Sequence, residues 1–160
     1  MMIDLIEDTL LEPHTIDPRY EGSPFRHIKL MDAKTKGKRY EQITECVLTK
    51  LGYEVAPPQN TQHDRIVNGT KIEIKGSTLN KGVDFFSFLQ IRPNDDYETL
   101  YFTLCYPNDL KIYTMDKATV LANIENGTFR KQHGGKARNS GTYCYYGTSE
   151  TLEEIGATQI

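Results

Sequence analysis

His63-Asp64-Arg65-Ile66-Val67-Asn68-Gly69-Thr70-Lys71-Ile72-Glu73-Ile74-Lys75 is the stretch on which the reading of this chain turns. Asn-Gly between two β-forming runs predicts a two-residue hairpin, because a type I′ turn needs positive φ at both central positions. Val67 then pairs with Thr70, Ile66 with Lys71 and Arg65 with Ile72, which sets Asp64 directly across from Glu73. Lys75, two residues on, shares their face. Directly opposed Cβ atoms stand roughly 4.5–5.5 Å apart, where like charges destabilise a sheet unless something positive lies between them. A divalent cation beside Lys75 would supply that charge. The same alternation also suits a solvated edge ribbon, with Ile72 and Ile74 facing the core and Glu73 and Lys75 turned outward.

Asp64, eight residues, then Glu73-Ile74-Lys75 resembles the metal-binding core of the PD-(D/E)XK nucleases, the superfamily of most type II restriction endonucleases. His63 stands where the family name has proline. An acid two residues before a lysine recurs at Asp32-Ala33-Lys34 and Asp109-Leu110-Lys111, but only Glu73 is expected to have an acid across from it. The resemblance implies a central mixed β-sheet flanked by helices, and Mg²⁺ held by Asp64, Glu73 and the Ile74 main-chain carbonyl. Magnesium takes oxygen ligands and is usually held by one or two carboxylates, waters and a substrate phosphate. Lys75 would then orient or deprotonate the attacking water and offset charge on the phosphate. Glu41, on the helix preceding the sheet, is the candidate accessory ligand. The implied protein is a cytoplasmic, bacterial or phage-encoded enzyme that acts as a homodimer on double-stranded DNA, one active site for each strand of a palindrome.

The rest of the chain is read around that hairpin. With 160 residues, 38% hydrophobic and 10% aromatic, a single domain able to bury its own core is expected over 1–160. The catalytic core would span about 36–126. No apolar run is long enough to span a membrane, and the acids near Met1 do not suit a secretory signal. Cys46, Cys105 and Cys144 lack the paired spacing of a zinc site and read as buried thiols. Tyr40, Ile43, Val47, Leu48 and Leu51 recur at helical spacing before Gly52. Tyr53–Ala56 is a short first strand closed by Pro57-Pro58. Val83–Ile91 and Leu100–Tyr106, apolar on both faces, are expected as central strands. Gln90 shares a face with Phe86 and Phe88, and in such a strand it must either contact the site or bond the backbone. Leu110–Met115 pairs back on 100–106, and Asp116 caps a helix closed by Asn126-Gly127. Thr148-Ser149-Glu150 starts a last helix running to Ile155.

The net charge of −3 conceals a segregation of charge along the chain. Residues 1–16 carry acids and no lysine or arginine, whereas 17–40 are rich in cations, among them Lys34, Lys36, Lys38 and Arg39. Residues 126–149 hold Arg130, Lys131, Lys136 and Arg138 and no acid. Such stretches neutralise phosphates and release counterions, or serve only as solvated surface. Within 130–141, Gln132, His133, Lys136, Arg138 and Asn139 among glycines make a candidate DNA-reading loop, since Arg and Lys read guanine and Gln and Asn read adenine. Ser77 and Thr78, just past Lys75, are candidate phosphate contacts or turn residues. Tyr143, Tyr145, Tyr146 and Phe129 suit base stacking or core packing. Besides a sequence-specific endonuclease, the pattern admits a junction-resolving or repair nuclease, a DNA-binding module without catalysis, or a protein-binding domain.

Overall fold

A computed structural model describes residues 17–132 and 141–160. Two 3-10 turns, Pro18–Tyr20 and Arg26–Leu30, lead into helix α1, Ala33–Lys50. Strands β1 (Val55–Ala56), β2 (Arg65–Val67), β3 (Thr70–Thr78), β4 (Phe86–Ile91), β5 (Thr99–Tyr106) and β6 (Asp109–Asp116) follow. Helix α2 (Lys117–Glu125), strands β7 (Arg130–Lys131) and β8 (Tyr143–Gly147), helix α3 (Ser149–Glu154) and strand β9 (Thr158–Gln159) complete the described chain. The fold is mixed α/β, a central mixed sheet flanked by helices, as the sequence suggested. None of the helices described is long and apolar enough to cross a membrane.

The hairpin forms as read. Asn68 and Gly69 take φ of 49° and 83°, and the register is Val67↔Thr70, Ile66↔Lys71, Arg65↔Ile72. Asn68 also fastens β1, its N–H donating to the Glu54 carbonyl at 2.8 Å while its side-chain oxygen accepts from Glu54 N–H at 2.8 Å. From β3 the sheet continues through a parallel pairing, Ile72↔Thr99 to Thr78↔Cys105, and then antiparallel to β6 and β9, giving the order β1-β2-β3-β5-β6-β9. Tyr106 faces Asp109 across the turn at the end of β5.

Alternation along β3 and β5 divides the core in two. Ile72, Ile74, Tyr101 and Cys105 face α1, where Leu48 and Tyr40 are buried against them. Leu100, Phe102 and Leu104 face the other way, into the larger cluster with Phe86, Phe88, Phe129, Val120 and Leu152. Each fully buried side chain of this kind contributes about 1.5–3 kcal/mol by leaving water. Helix α1 is fixed across the sheet by Tyr40, whose ring covers Gly76 so closely that a Cβ there would fall 2.1 Å from the ring's Cγ. A buried hydroxyl pair, Thr44 with Thr103 at 2.6 Å, holds the next turn.

Several expectations are corrected. Helix α1 starts well before Tyr40, because the Asp32 carboxylate caps Thr35 N–H at 2.9 Å and recruits the basic stretch into the first turns. The 83–91 segment is not a central strand. Only 86–91 is extended, in a separate sheet of order β4-β8-β7, with Phe86 and Phe88 in the core and Leu89 and Gln90 exposed. Cys46 is exposed, since the buried stripe of α1 runs through Tyr40, Thr44 and Leu48, while Cys105 and Cys144 are buried. The tyrosines divide as well: Tyr145 and Phe129 are buried together, 5.4 Å between ring centroids, and Tyr146 is exposed.

Candidate active site

Strand β2 reaches only as far as Ile72, and the edge of β3 beyond it borders a cleft of about 620 Å³. Asp64, Glu73, Ile74, Lys75, Gly76, Ser77 and Thr78 line one side of it. The first turns of α1 supply Lys36, Gly37, Tyr40 and Glu41, and β4 supplies Ser87, Leu89 and Gln90.

Asp64 does not lie directly across from Glu73, as regular pairing required. Its N–H donates to the carbonyl of Ile72, already opposite Arg65, so the ladder ends in a local irregularity. The side chain thereby turns onto β3, where Asp64 Oδ2 accepts from Ile74 N–H at 2.7 Å. A residue in an extended strand directs its N–H and C=O to the same edge, so the Ile74 carbonyl also faces the cleft. Both acids still line the cleft, and Asp64's charge helps to push up the Glu73 carboxyl.

Glu73 and Lys75 are not a solvated ribbon. Their side chains are 14% and 18% exposed and form an ion pair, Nζ to Oε1 at 2.8 Å. Burial pushes the Glu73 carboxyl up to about 7; Lys75 opposes that rise and Asp64 adds to it. Burial and the Asp64 charge likewise raise Glu41, against the pull of Arg65. Asp64 thus bears on both Glu73 and Glu41.

Glu41, the candidate accessory ligand, lines the cleft but is engaged by Arg65. Arg65 donates to Glu41 Oε2 at 3.2 Å and to Glu45 Oε2 at 2.7 Å, tying α1 to the hairpin, and also to the Asp64 carbonyl at 2.6 Å. Among the described residues, no three Asp, Glu, His or Cys side chains are gathered closely enough to hold one ion. The donor set facing the cleft is two carboxylates and one carbonyl, all hard oxygens, with Lys75 as the cation paired to Glu73. Such a set fits Mg²⁺, which commonly takes one or two carboxylates and completes its shell with water and phosphate.

The remaining candidates separate. Lys36 lines the cleft, whereas Lys34, Lys38 and Arg39 are exposed on α1 outside it. Ser77 and Thr78 line it but are buried, and Ser77 Oγ is committed to the Thr78 carbonyl at 2.7 Å and Ser87 N–H at 3.1 Å. Arg130 and Lys131 are exposed on β7, and Gln132 Oε1 accepts from Gln90 N–H at 2.6 Å. His133, Lys136, Arg138 and Asn139 lie outside the described residues.

Sequence reasoning missed several groups. Arg65 was visible in principle, as a cation on the hairpin facing Glu41 and Glu45 one helical turn apart. Lys29 and Lys81 also line the cleft. Lys29 reaches the Leu79 carbonyl, stands 3.7 Å from Asp17 and lies 4.8 Å from the centre of the Tyr20 ring. Tyr97 is 4% exposed, its hydroxyl has no hydrogen-bond partner among the described residues, and burial together with the Glu73 charge raises its pKa.

No family model matches this chain, and no curated protein does. Among solved structures, it is similar to the bacterial homing endonuclease I-Ssp6803I, with a TM-score of 0.47 and 14% identity over 57% of this chain and 74% of that one.

Proposed function

We propose that this protein is a magnesium-dependent endodeoxyribonuclease that hydrolyses phosphodiester bonds of double-stranded DNA at a short specific sequence, in the manner of type II restriction enzymes. The observation that carries the reading is the convergence of Asp64, Glu73, the Ile74 carbonyl and Lys75 on one cleft, with Glu73 held largely out of water. A metal bound there lowers the pKa of its water, polarises the phosphoryl oxygen and stabilises the leaving oxygen.

The chain's own groups do the rest. Asp64 is held in place by Ile74 N–H, so it presents its second oxygen without reorganisation. Asp64, Glu73 and the Ile74 carbonyl would hold the metal, and Lys75, paired with Glu73 at 2.8 Å, would orient the attacking water and balance charge developing on the phosphate. Lys29, Lys36 and Lys81 along the cleft attract the phosphate backbone. The cations at the start of α1 add to the positive end of the helix dipole, a placement unfavourable to the helix and favourable to anions. A homodimer would set two such clefts against the two strands of a palindromic site.

Incubation of unmethylated phage DNA with the protein and magnesium tests this directly. Discrete fragments that disappear with a chelator are expected. Intact phage DNA alongside cleaved branched substrates would replace sequence-specific cutting with structure-selective cutting.

A further inference from the structure

The rim of the cleft opposite α1 carries a backbone irregularity that returns Ile91 to the core and leaves a polar side chain exposed in the cleft. Strand β4 pairs regularly with β8 at Phe86↔Gly147, Ser87↔Tyr146 and Phe88↔Tyr145, then slips and resumes at Ile91↔Tyr143. Leu89 and Gln90 thus oppose the single residue Cys144, which is a β-bulge. Gln90 sits in it at φ 56°, in the left-handed region that glycine and asparagine enter more readily. Its N–H, lost from the ladder, is caught by Gln132 Oε1 at 2.6 Å. The side chain gains no burial in return. Gln90 is exposed, its amide group makes no hydrogen bond among the described residues, and it lines the cleft that holds Asp64, Glu73 and Lys75.

Bulges re-aim side chains beside active sites, and a strained backbone persists where the surroundings enforce it. Here the enforcement comes from another strand's end, through Gln132. Among the charged members of the cleft, Lys29, Lys36 and Lys81 suit phosphate. Gln90 is different: a neutral amide offers one donor face and one acceptor side by side, the pattern that matches adenine N7 and N6 in the major groove.

We infer that Gln90 reads a base edge of the duplex bound in this cleft, with Gln132 as its positioning residue. The inference rests on the endonuclease reading above. Gln132 therefore acts through Gln90 rather than as a reader itself.

The test uses Gln90→Gly, which suits the positive φ and removes only the side chain, with Gln132→Ala and Gln132→Glu. Each is given magnesium and a duplex library of randomised sequence, and the cut sites are sequenced. Gln90→Gly is expected to melt at or above the wild-type temperature, to lose discrimination at one base pair of the site, and to cut the preferred site on the order of tenfold less efficiently in kcat/KM. Gln132→Ala should relax the same base pair, and Gln132→Glu, which keeps the acceptor, should restore it. Unchanged discrimination in Gln90→Gly overturns the inference and leaves the nuclease reading standing. Wild-type cutting without sequence preference overturns the inference together with the sequence-specific part of that reading, and leaves only a nuclease. Wild-type protein that neither binds nor cuts DNA overturns both.

Discussion

Gly76→Ala and Gly37→Ala are the same substitution at two glycines of the α1–β3 interface and its helix, and they are expected to act in opposite directions. At Gly76 the new methyl would lie 2.1 Å from Tyr40 Cγ, 2.4 Å from its Cβ and 2.5 Å from Cδ1. These atoms are the root of the side chain, so no rotation of the ring clears them and α1 itself must lift. Thr44, one turn along, resists that movement through its bond to Thr103. Overpacking of a tight core costs about 1–3 kcal/mol, and the top of that range or beyond is expected here. For a chain of this size that lowers the melting temperature by roughly 6–12 °C. At Gly37, inside α1, a Cβ meets nothing within 4 Å and φ is ordinary. Alanine there should stabilise by about 0.5–1 kcal/mol through helix propensity. Urea unfolding followed by far-UV circular dichroism measures both. A Gly76→Ala variant within about 0.5 kcal/mol of wild type, below the range for a tight core, would refute the close docking of Tyr40 over β3.

Acid stability should depend on Asp17, a residue 3% exposed whose carboxyl is held at about 2, chiefly by its hydrogen bond to Arg19. A depressed folded pKa means that the contribution, about 2 kcal/mol, is present above pH 4 and lost as pH falls toward 2. The stability gap between wild type and Asp17→Asn, from urea unfolding at several pH values, should shrink across that window. Glu73 works in the opposite sense, because its carboxyl is pushed up to about 7 by burial. Its ionised form burdens the metal-free fold above that pH, so Glu73→Gln should melt no lower than wild type at pH 8. Added magnesium should raise the melting point of wild type and leave that of the variant unmoved. Among the thiols, Cys46 should react with a disulfide reagent in the native protein, and Cys105 and Cys144 only on unfolding, which a timed thiol titration resolves.

What sequence could foretell follows the range of the forces involved. Asn68-Gly69 determines a hairpin through the backbone of two residues, so its register was legible, as were the caps at Asp116 and Thr148 and the turn joining β5 to β6. Asp64 left the predicted pairing because its N–H turned to the Ile72 carbonyl, a choice between nearly equivalent partners that alternation does not encode. The strand over 86–91 was recognisable, but not its sheet, since β4 takes its partner from β8, more than fifty residues on. The Gln90 bulge is equally silent in sequence, as nothing about a glutamine announces positive φ. Asp64, Glu73 and Lys75, which line one cleft, were singled out from one local motif. Arg65's hold on Glu41 and Glu45, and Tyr40's cover over Gly76, arise from tertiary packing of α1 and so were not.

The central claim is that Lys75 and its two acids perform metal-dependent hydrolysis. The most direct measurement is the cleavage rate of duplex DNA in magnesium by wild type and by Lys75→Ala, each first shown to have a cooperative thermal transition. A loss of about 10²–10⁴-fold in the folded variant, with DNA binding retained and wild-type cutting abolished by chelator, is the expected result. Cleavage that persists at the wild-type rate in Lys75→Ala would contradict the account.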